Sequence, residues 1–292
     1  MINKDINKLV RSVLFVPCDR LKLMHKALSL STDYIIYDLE DSVAPGKKDV
    51  ARSDLISFIK SIDNNMIKPN IAVRINCPNT SKWGKDDATM LIESLPSIDT
   101  IVLPKVDDIA SLNKIVNTYM NNKLIWAMIE SAKGVVNCES IAANEQVEAL
   151  VLGGNDLTKD LKAKFTKDRK HLLYSMSKCV TAARASNKLV LDGVYMDIAN
   201  SDGLKLDCEL GRDMGYDGKS LIHPDQIAIT NDIFSPNMEE VNYAKRIIDE
   251  WNKATKDGKS VAVLDGKLIE YLHYHEASAV LKKAEHIKHK QS

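Results

Sequence analysis

The chain has 292 residues, and its 40 basic residues are balanced by 40 acidic ones. This length allows one or two domains with a large buried core. The zero net charge predicts no nucleic acid partner and no anionic membrane partner, and no apolar stretch is long enough for a transmembrane helix. The polar start (residues 1–5) and five scattered cysteines without a C-x-x-C pair predict a cytoplasmic protein without a signal peptide, disulfides or a zinc site.

Eight short apolar segments predict parallel strands with helical segments between them. The predicted strands are residues 12–16, 34–37, 71–75, 100–103, 124–129, 149–152, 189–191 and a weak last one at 219–222. Helical spacing of apolar residues is found at 22–30, 51–62, 107–120 and 172–186. Eight alternations without a break in composition predict an α/β fold of the (β/α)₈ TIM-barrel type, rather than a doubly wound sheet. A dinucleotide fold has little support, because no G-x-G-x-x-G follows the first strand.

Residues 235–292 differ in sequence pattern from residues 1–234, which we assign to the barrel domain. Pro236 in a first turn, followed by Glu239 and Glu240, predicts a helix that ends near residue 255. A short segment at 260–265 and a last helix at about 275–286 follow. We interpret this region as a C-terminal helical arm or lid; a packing helix without a functional role is the alternative.

Two predicted strands each lead to a single carboxylate, Glu130 after residues 124–129 and Asp156 after residues 149–152. The C-terminal ends of barrel strands are where such folds build their active sites. Two carboxylates that meet there need a cation or a shared proton, and a hard divalent cation such as Mg²⁺ is our leading interpretation. The alternative is that each acid caps the helix that follows it.

Further charged residues follow the second, third and fourth strands. Asp38 and Glu40 point the same way in an extended chain, which suits residues that orient metal ligands, or an acid or base beside a metal; a helix cap with solvated charges is the alternative. Arg74 lies inside an apolar strand, where its guanidinium can bind a substrate carboxylate through two nitrogens or form an ion pair with Asp38 or Glu40. Lys105 follows the fourth strand and is a candidate for binding an anion or forming a salt bridge. For His223, satisfaction by backbone partners is a simpler interpretation than substrate contact.

In chain order, these segments resemble the citrate lyase β-subunit-like branch of the HpcH/HpaI aldolase superfamily. The resemblance rests on matching segments at residues 11–17, 38–44, 73–76, 103–105, 127–131, 153–157, 194–198, 215–224 and 266–270. It implies a Mg²⁺-dependent carbon–carbon lyase acting on a citryl, malyl or citramalyl thioester. It also implies metal ligation by Glu130 and Asp156, and binding of the 2-oxo acid by Arg74.

The chain departs from this family pattern at two positions. Cys18 stands where the first loop of the family usually has glycine, and a side chain there could clash with the thioester phosphates if the loop approaches them. Glu270 stands where the family commonly has an aspartate that a neighbouring subunit supplies to the site as an acid. Glutamate keeps the carboxylate but lengthens its reach by one methylene.

The resemblance leaves alternatives open for activity and partners. The same site could hydrolyse the thioester, as malate-synthase-like relatives would, or the chain could be a non-catalytic barrel subunit of a larger complex. The thioester could be carried by coenzyme A or by an acyl carrier protein. A site completed by a neighbouring arm implies a homo-oligomer, which the resemblance makes a homotrimer; a true citrate lyase β subunit would also have other lyase subunits as partners.

Overall fold

The computed structural model describes residues 8–62, 69–120 and 122–291, so the expectation for residues 1–5 lies outside the described residues. The chain divides into two compact units. The first runs from Val10 to Asn231, and the second comprises residues 232–291 together with residues 8 and 9. The division falls three residues before the predicted boundary at 234. None of the described helices is long and apolar enough to cross a membrane.

The first unit is a closed barrel of eight parallel strands, as predicted. Each strand pairs with the next along the chain, and the last pairs with the first through Ser12–Lys219, Val13–Ser220 and Leu14–Leu221. The strands are β1 (Ser12–Pro17), β2 (Tyr34–Asp38), β3 (Asn70–Arg74), β4 (Thr100–Leu103), β5 (Leu124–Ile129), β6 (Val147–Leu152), β7 (Leu189–Asp192) and β8 (Gly218–Leu221).

Alternate residues of the strands fill the barrel interior. The interior cluster includes Ile36, Trp126 and Val151, and the Trp126 indole donates a hydrogen bond of 2.9 Å to Glu148. Because side chains alternate between the two faces of each strand, the polar residues that follow on the inner face lie above this interior cluster, which we call the apolar plug. The plug is therefore the floor of a site at the C-terminal ends of the strands.

Helices connect and surround the strands. They are α1 (Leu21–Ala27), α2 (Lys48–Ser61), α3 (Gly84–Glu93), α4 (Ile109–Tyr119), α5 (Ala132–Ala142), α6 (Gly154–Asp160), α7 (Leu173–Ala185), α8 (Ser201–Asp213) and α9 (Ile227–Ile233). Polar side chains start several of them: Asp108 caps α4, Ser131 caps α5 and Asn200 caps α8. These caps satisfy backbone N–H groups that have no partner within the helix.

The second unit has its own small apolar core, formed by α10 (Met238–Lys256), β9 (Ala262–Leu264), β10 (Lys267–Ile269) and α11 (Tyr271–Gln291). The expected position of Pro236 is wrong: Asn237 caps α10 through a capping box with Glu240, so Pro236 lies before the helix. The last helix starts at Tyr271, four residues earlier than expected. Residues 260–265 contribute to an antiparallel hairpin rather than to an isolated segment.

Candidate active site

Five charged side chains from four neighbouring strands meet above the apolar plug. Asp38 and Arg74 end β2 and β3, Glu40 follows β2, Lys105 follows β4, and Glu130 follows β5. All except Lys105 are buried, so their charges interact through a poorly solvated medium. The structure thus brings together the residues that the sequence singled out on strands two to five.

Arg74 is held by the two acids of the second strand. Its Nε and Nη2 donate to the two oxygens of Asp38 at 2.6 and 2.7 Å, and its Nη1 lies 3.2 Å from Glu40 Oε2. The guanidinium also covers the Phe15 ring at 4.7 Å. The ion-pair interpretation is therefore confirmed. Asp38 occupies the Nε–Nη2 edge of the guanidinium, so a substrate carboxylate cannot form the two-point contact there that the sequence led us to expect. The remaining nitrogen, Nη1, faces Glu40.

The alternative of solvated charges is wrong for Asp38 and Glu40, which are 0% and 5% exposed. Burial alone would raise the pKa of Asp38, but the adjacent Arg74 lowers it, so this carboxylate stays charged. The pKa of Glu40 is raised, because burial outweighs the attraction of Arg74 and Lys105. Of the two, Glu40 is therefore the better proton acceptor.

Lys105 connects two carboxylates through different atoms. Its backbone N–H donates to Glu130 Oε1 at 2.7 Å, and its ammonium contacts Glu40 Oε1 at 2.7 Å. The residue has a φ of 55°, a left-handed conformation that is unfavourable for lysine. Such strain is often retained at functional sites. Its side chain is 47% exposed, so the ammonium can reach a ligand as well as Glu40.

Glu130 keeps one oxygen available. Its Oε2 accepts no hydrogen bond from the described residues, and it lies against Gly153, where an added Cβ would be only 2.7 Å away. The pKa of Glu130 is raised to about 7, first by burial and then by the nearby charge of Glu40, with a further contribution from Asp156. The carboxylate is therefore held where additional positive charge is favourable.

Asp156 lies in the first turn of α6, half-buried. The capping alternative is wrong for Glu130, since Ser131 caps the following helix. When all four carboxylates are ionised, Asp38, Glu40, Glu130 and Asp156 together carry two more negative charges than Arg74 and Lys105 neutralise. No group of three acidic, histidine or cysteine ligands was found among the described residues. Two carboxylates completed by water and substrate are a typical environment for Mg²⁺, so the residues fit that ion.

The remaining predicted residues lie apart from this cluster or contribute differently. Cys18 is fully buried, and its N–H donates to the Asp38 carbonyl oxygen at 3.0 Å, so its side chain points into the protein. His223 Nδ1 accepts from the Asp225 N–H, which confirms a backbone partner. Glu270 is exposed in the second unit, where its N–H donates to His273 Nδ1; its role stays a prediction.

A cavity of about 300 Å³ opens beside the Glu40–Lys105 pair. Its walls include Lys48, Asn76 and Trp83. The Lys48 ammonium donates to the carbonyl oxygens of Leu39 and Glu40 at 2.9 and 2.8 Å, so it fixes the backbone that carries Glu40. Neither this cavity nor the role of Gly153 was predicted from the sequence, although a Gly-Gly pair directly after a strand signals a close approach of backbone to another group.

Comparison with known proteins identifies the family. The HpcH/HpaI aldolase/citrate lyase family model matches residues 11–224. The chain belongs to this family. It is 40% identical over 278 residues to a (3S)-malyl-CoA thioesterase of Cereibacter sphaeroides, covering 95% of both chains. It is 29% identical to the citrate lyase β subunit of Escherichia coli, covering 94% of this chain and 93% of the relative.

A solved structure extends the similarity to nearly the whole chain. The CitE protein of Mycobacterium tuberculosis, in complex with magnesium, acetoacetate and coenzyme A, superimposes with a TM-score of 0.76 at 27% identity. The match covers 94% of this chain and 97% of that structure. These comparisons confirm the citrate lyase β-subunit-like branch and the barrel fold. At the coarse level they support a lyase family whose members act on coenzyme A thioesters.

Proposed function

We propose that this protein is a Mg²⁺-dependent enzyme that cleaves the carbon–carbon bond of a malyl-type hydroxyacyl-CoA thioester into a 2-oxo acid and an acetyl thioester. The observation that carries the proposal is the buried Glu130, which has one oxygen bound by the Lys105 N–H and the other free beside Gly153. The similarity to a malyl-CoA enzyme and to a CoA-bound structure supports coenzyme A as the thioester carrier.

Each residue of the cluster has a separate role in this cleavage. Glu130 and Asp156 would hold Mg²⁺, which would supply polarisation of the substrate oxygen. Arg74 binds the carboxylate of the acid through Nη1, the nitrogen that does not contact Asp38 and lies 3.2 Å from Glu40 Oε2. Glu40, whose pKa is raised by burial, accepts the proton of the substrate hydroxyl. The Lys105 ammonium then pairs with the negative charge on the substrate.

The leaving fragment is the enolate of an acetyl thioester, which must gain a proton. We assign this proton to Glu270, supplied by a neighbouring copy of the chain in a homotrimer, as the family resemblance implies. The exposed position of Glu270 leaves its carboxylate available to another subunit. Glu270→Gln should therefore slow protonation without weakening Mg²⁺ binding, which separates its role from that of the barrel residues.

Thioester hydrolysis is the second candidate, favoured by the 40% identity to a malyl-CoA thioesterase. One assay distinguishes the two: the purified protein is incubated with Mg²⁺ and malyl-, citramalyl- or citryl-CoA, with EDTA as the control. Metal-dependent release of a 2-oxo acid and acetyl-CoA supports the lyase. Release of free coenzyme A and the hydroxy acid supports the hydrolase instead, and absence of Mg²⁺ binding contradicts both.

Gly153→Ala tests the geometry of the metal site. The new methyl group would overlap the Glu130 carboxylate, so we expect Mg²⁺ affinity and kcat/KM to fall about a hundredfold, as for a misplaced catalytic group. Isothermal titration calorimetry and steady-state kinetics measure both. Gly46→Ala is the matched control, because a Cβ there meets nothing within 4 Å. Normal metal binding by Gly153→Ala would contradict the assignment of Glu130.

A further inference from the structure

Four charged side chains form a second buried network, on the opposite face of the barrel wall from the candidate site. They are Arg169, Asp192, Asp207 and Lys219. Leu189 and Leu191 point into the barrel, so the alternation of β7 directs Asp192 outward, toward the helices. Both Asp192 and Lys219 are 0% exposed.

Asp192 is the centre of this network. Arg169 donates to both of its oxygens, through Nη1 at 2.8 Å and through Nη2, and Lys219 Nζ lies 2.8 Å from Oδ2. The N–H of Gly193 donates to Oδ1 at 2.8 Å. Asp207 on α8 contacts both cations. Buried ion pairs of this kind contribute little net stability compared with apolar packing, so stability alone does not explain this network.

The network restrains both ends of the segment that carries Asp156. At the far end, Arg169 closes the loop after α6 in a left-handed conformation with a φ of 57°. At the near end, Gly193 packs against the turn that starts α6: a Cβ there would lie 2.9 Å from the Leu152 carbonyl oxygen and 3.3 Å from the Gly154 nitrogen. The segment between these two restraints contains Gly153 and Asp156.

A third contact joins this segment to the strand that leads to Glu130. Asp160, the last residue of α6, accepts a hydrogen bond of 2.7 Å from the N–H of Ala132, two residues after Glu130. The two proposed metal ligands are therefore linked through the backbone of α6, and α6 is held in turn by the network around Asp192. Alteration of a direct hydrogen-bond partner of a metal ligand typically lowers metal affinity ten- to a hundredfold, and we expect the lower end of that range for a restraint that acts through α6.

We propose that Arg169, Asp192 and Lys219 are positioning residues that hold α6 so that the Asp156 carboxylate stays beside Glu130. The inference rests on the proposed function only in placing Mg²⁺ at these two carboxylates. It predicts that weakening the network lowers metal affinity even in protein that remains fully folded.

Arg169→Lys tests the proposal, because it keeps the charge and removes the two-point contact with Asp192. We expect Mg²⁺ binding, measured by isothermal titration calorimetry, to weaken at least tenfold, and Mn²⁺ binding followed by electron paramagnetic resonance to weaken in parallel. Circular dichroism verifies folding at the temperature used. Arg11→Lys is the matched control: Arg11 makes an equally buried two-point contact with Asp33, at 2.8 Å, at the N-terminal end of the strands.

Arg11→Lys should lower the melting temperature while leaving Mg²⁺ affinity within twofold of the wild type. Equal metal affinity in Arg169→Lys and wild type, or an equal loss in both variants, would overturn the proposal. If Arg169→Lys does not fold, Gly193→Ala replaces it as the test. Its methyl group would push on the Leu152–Gly154 turn and leave the charges of the network intact. Unchanged Mg²⁺ affinity in Gly193→Ala would also overturn the proposal. A wild-type protein that binds no Mg²⁺ would instead overturn the proposed function, and this inference with it.

Discussion

Arg74→Met should inactivate the protein and also destabilise it strongly. The substitution leaves Asp38, which is 0% exposed, as an uncompensated buried charge. Breaking a buried pair in this way typically lowers the free energy of unfolding by about 3–5 kcal/mol. Urea denaturation monitored by circular dichroism measures this change. An unchanged stability would show that the contacts of Arg74 with Asp38 contribute little.

The double variant Arg74→Met/Asp38→Asn separates the structural role of Arg74 from its proposed binding role. Asparagine removes the buried charge, and its single side-chain oxygen can still accept one of the two hydrogen bonds that the N–H groups of Glu40 and Ser42 donate to the two oxygens of Asp38. We therefore expect most of the lost stability to return, while kcat/KM stays at least about a hundredfold below the wild type, because the substrate carboxylate has lost its cation. A stable and fully active double variant would contradict substrate binding by Arg74.

The barrel and much of the site were predictable from the sequence because the signals are local. Each of the eight apolar segments is a strand, and an acid directly after a buried strand has only one end of the barrel to occupy. Glu130 followed from this rule, and Arg74 followed from the cost of placing an unpaired arginine inside an apolar strand. What the sequence left open was the pairing of Arg74, since the choice between Asp38 and a ligand depends on distances across strands.

Other features were missed although signals were present. Asp265 and Gly266, both with positive φ, form the turn of the β9–β10 hairpin, and Asp-Gly between two short strand-forming segments is a strong hairpin signal. Lys219 inside a strand signalled a buried ion pair. Its partners, Asp192 on β7 and Asp207 on α8, could not be predicted, because their approach to Lys219 depends on how these elements pack. The left-handed conformation of Lys105, which presents its N–H to Glu130, likewise has no local sequence signal.

Glu130→Gln should abolish Mg²⁺ binding and activity and yet stabilise the metal-free protein. Burial and the charge of Glu40 raise the pKa of Glu130 to about 7, so folding at higher pH keeps an unfavourable charge inside the protein. Below pH 4.5 the side chain is protonated in the folded and the unfolded chain, and the variant has no advantage. Its advantage grows as the pH rises to about 7 and is then constant, at up to about 3 kcal/mol.

Urea denaturation of both metal-free proteins at pH 5 and pH 8 measures this difference. Glu148→Gln is the control: Glu148 is as buried as Glu130 but accepts a hydrogen bond from Trp126, so its replacement should destabilise the protein by weakening that bond. Addition of Mg²⁺ at pH 8 should then stabilise the wild type and leave Glu130→Gln unchanged, because the variant keeps only Asp156 of the two carboxylates that we assign to the ion. A variant that is no more stable than the wild type at pH 8 would show that the Glu130 charge is already compensated, and that the excess negative charge we assign to Mg²⁺ does not exist.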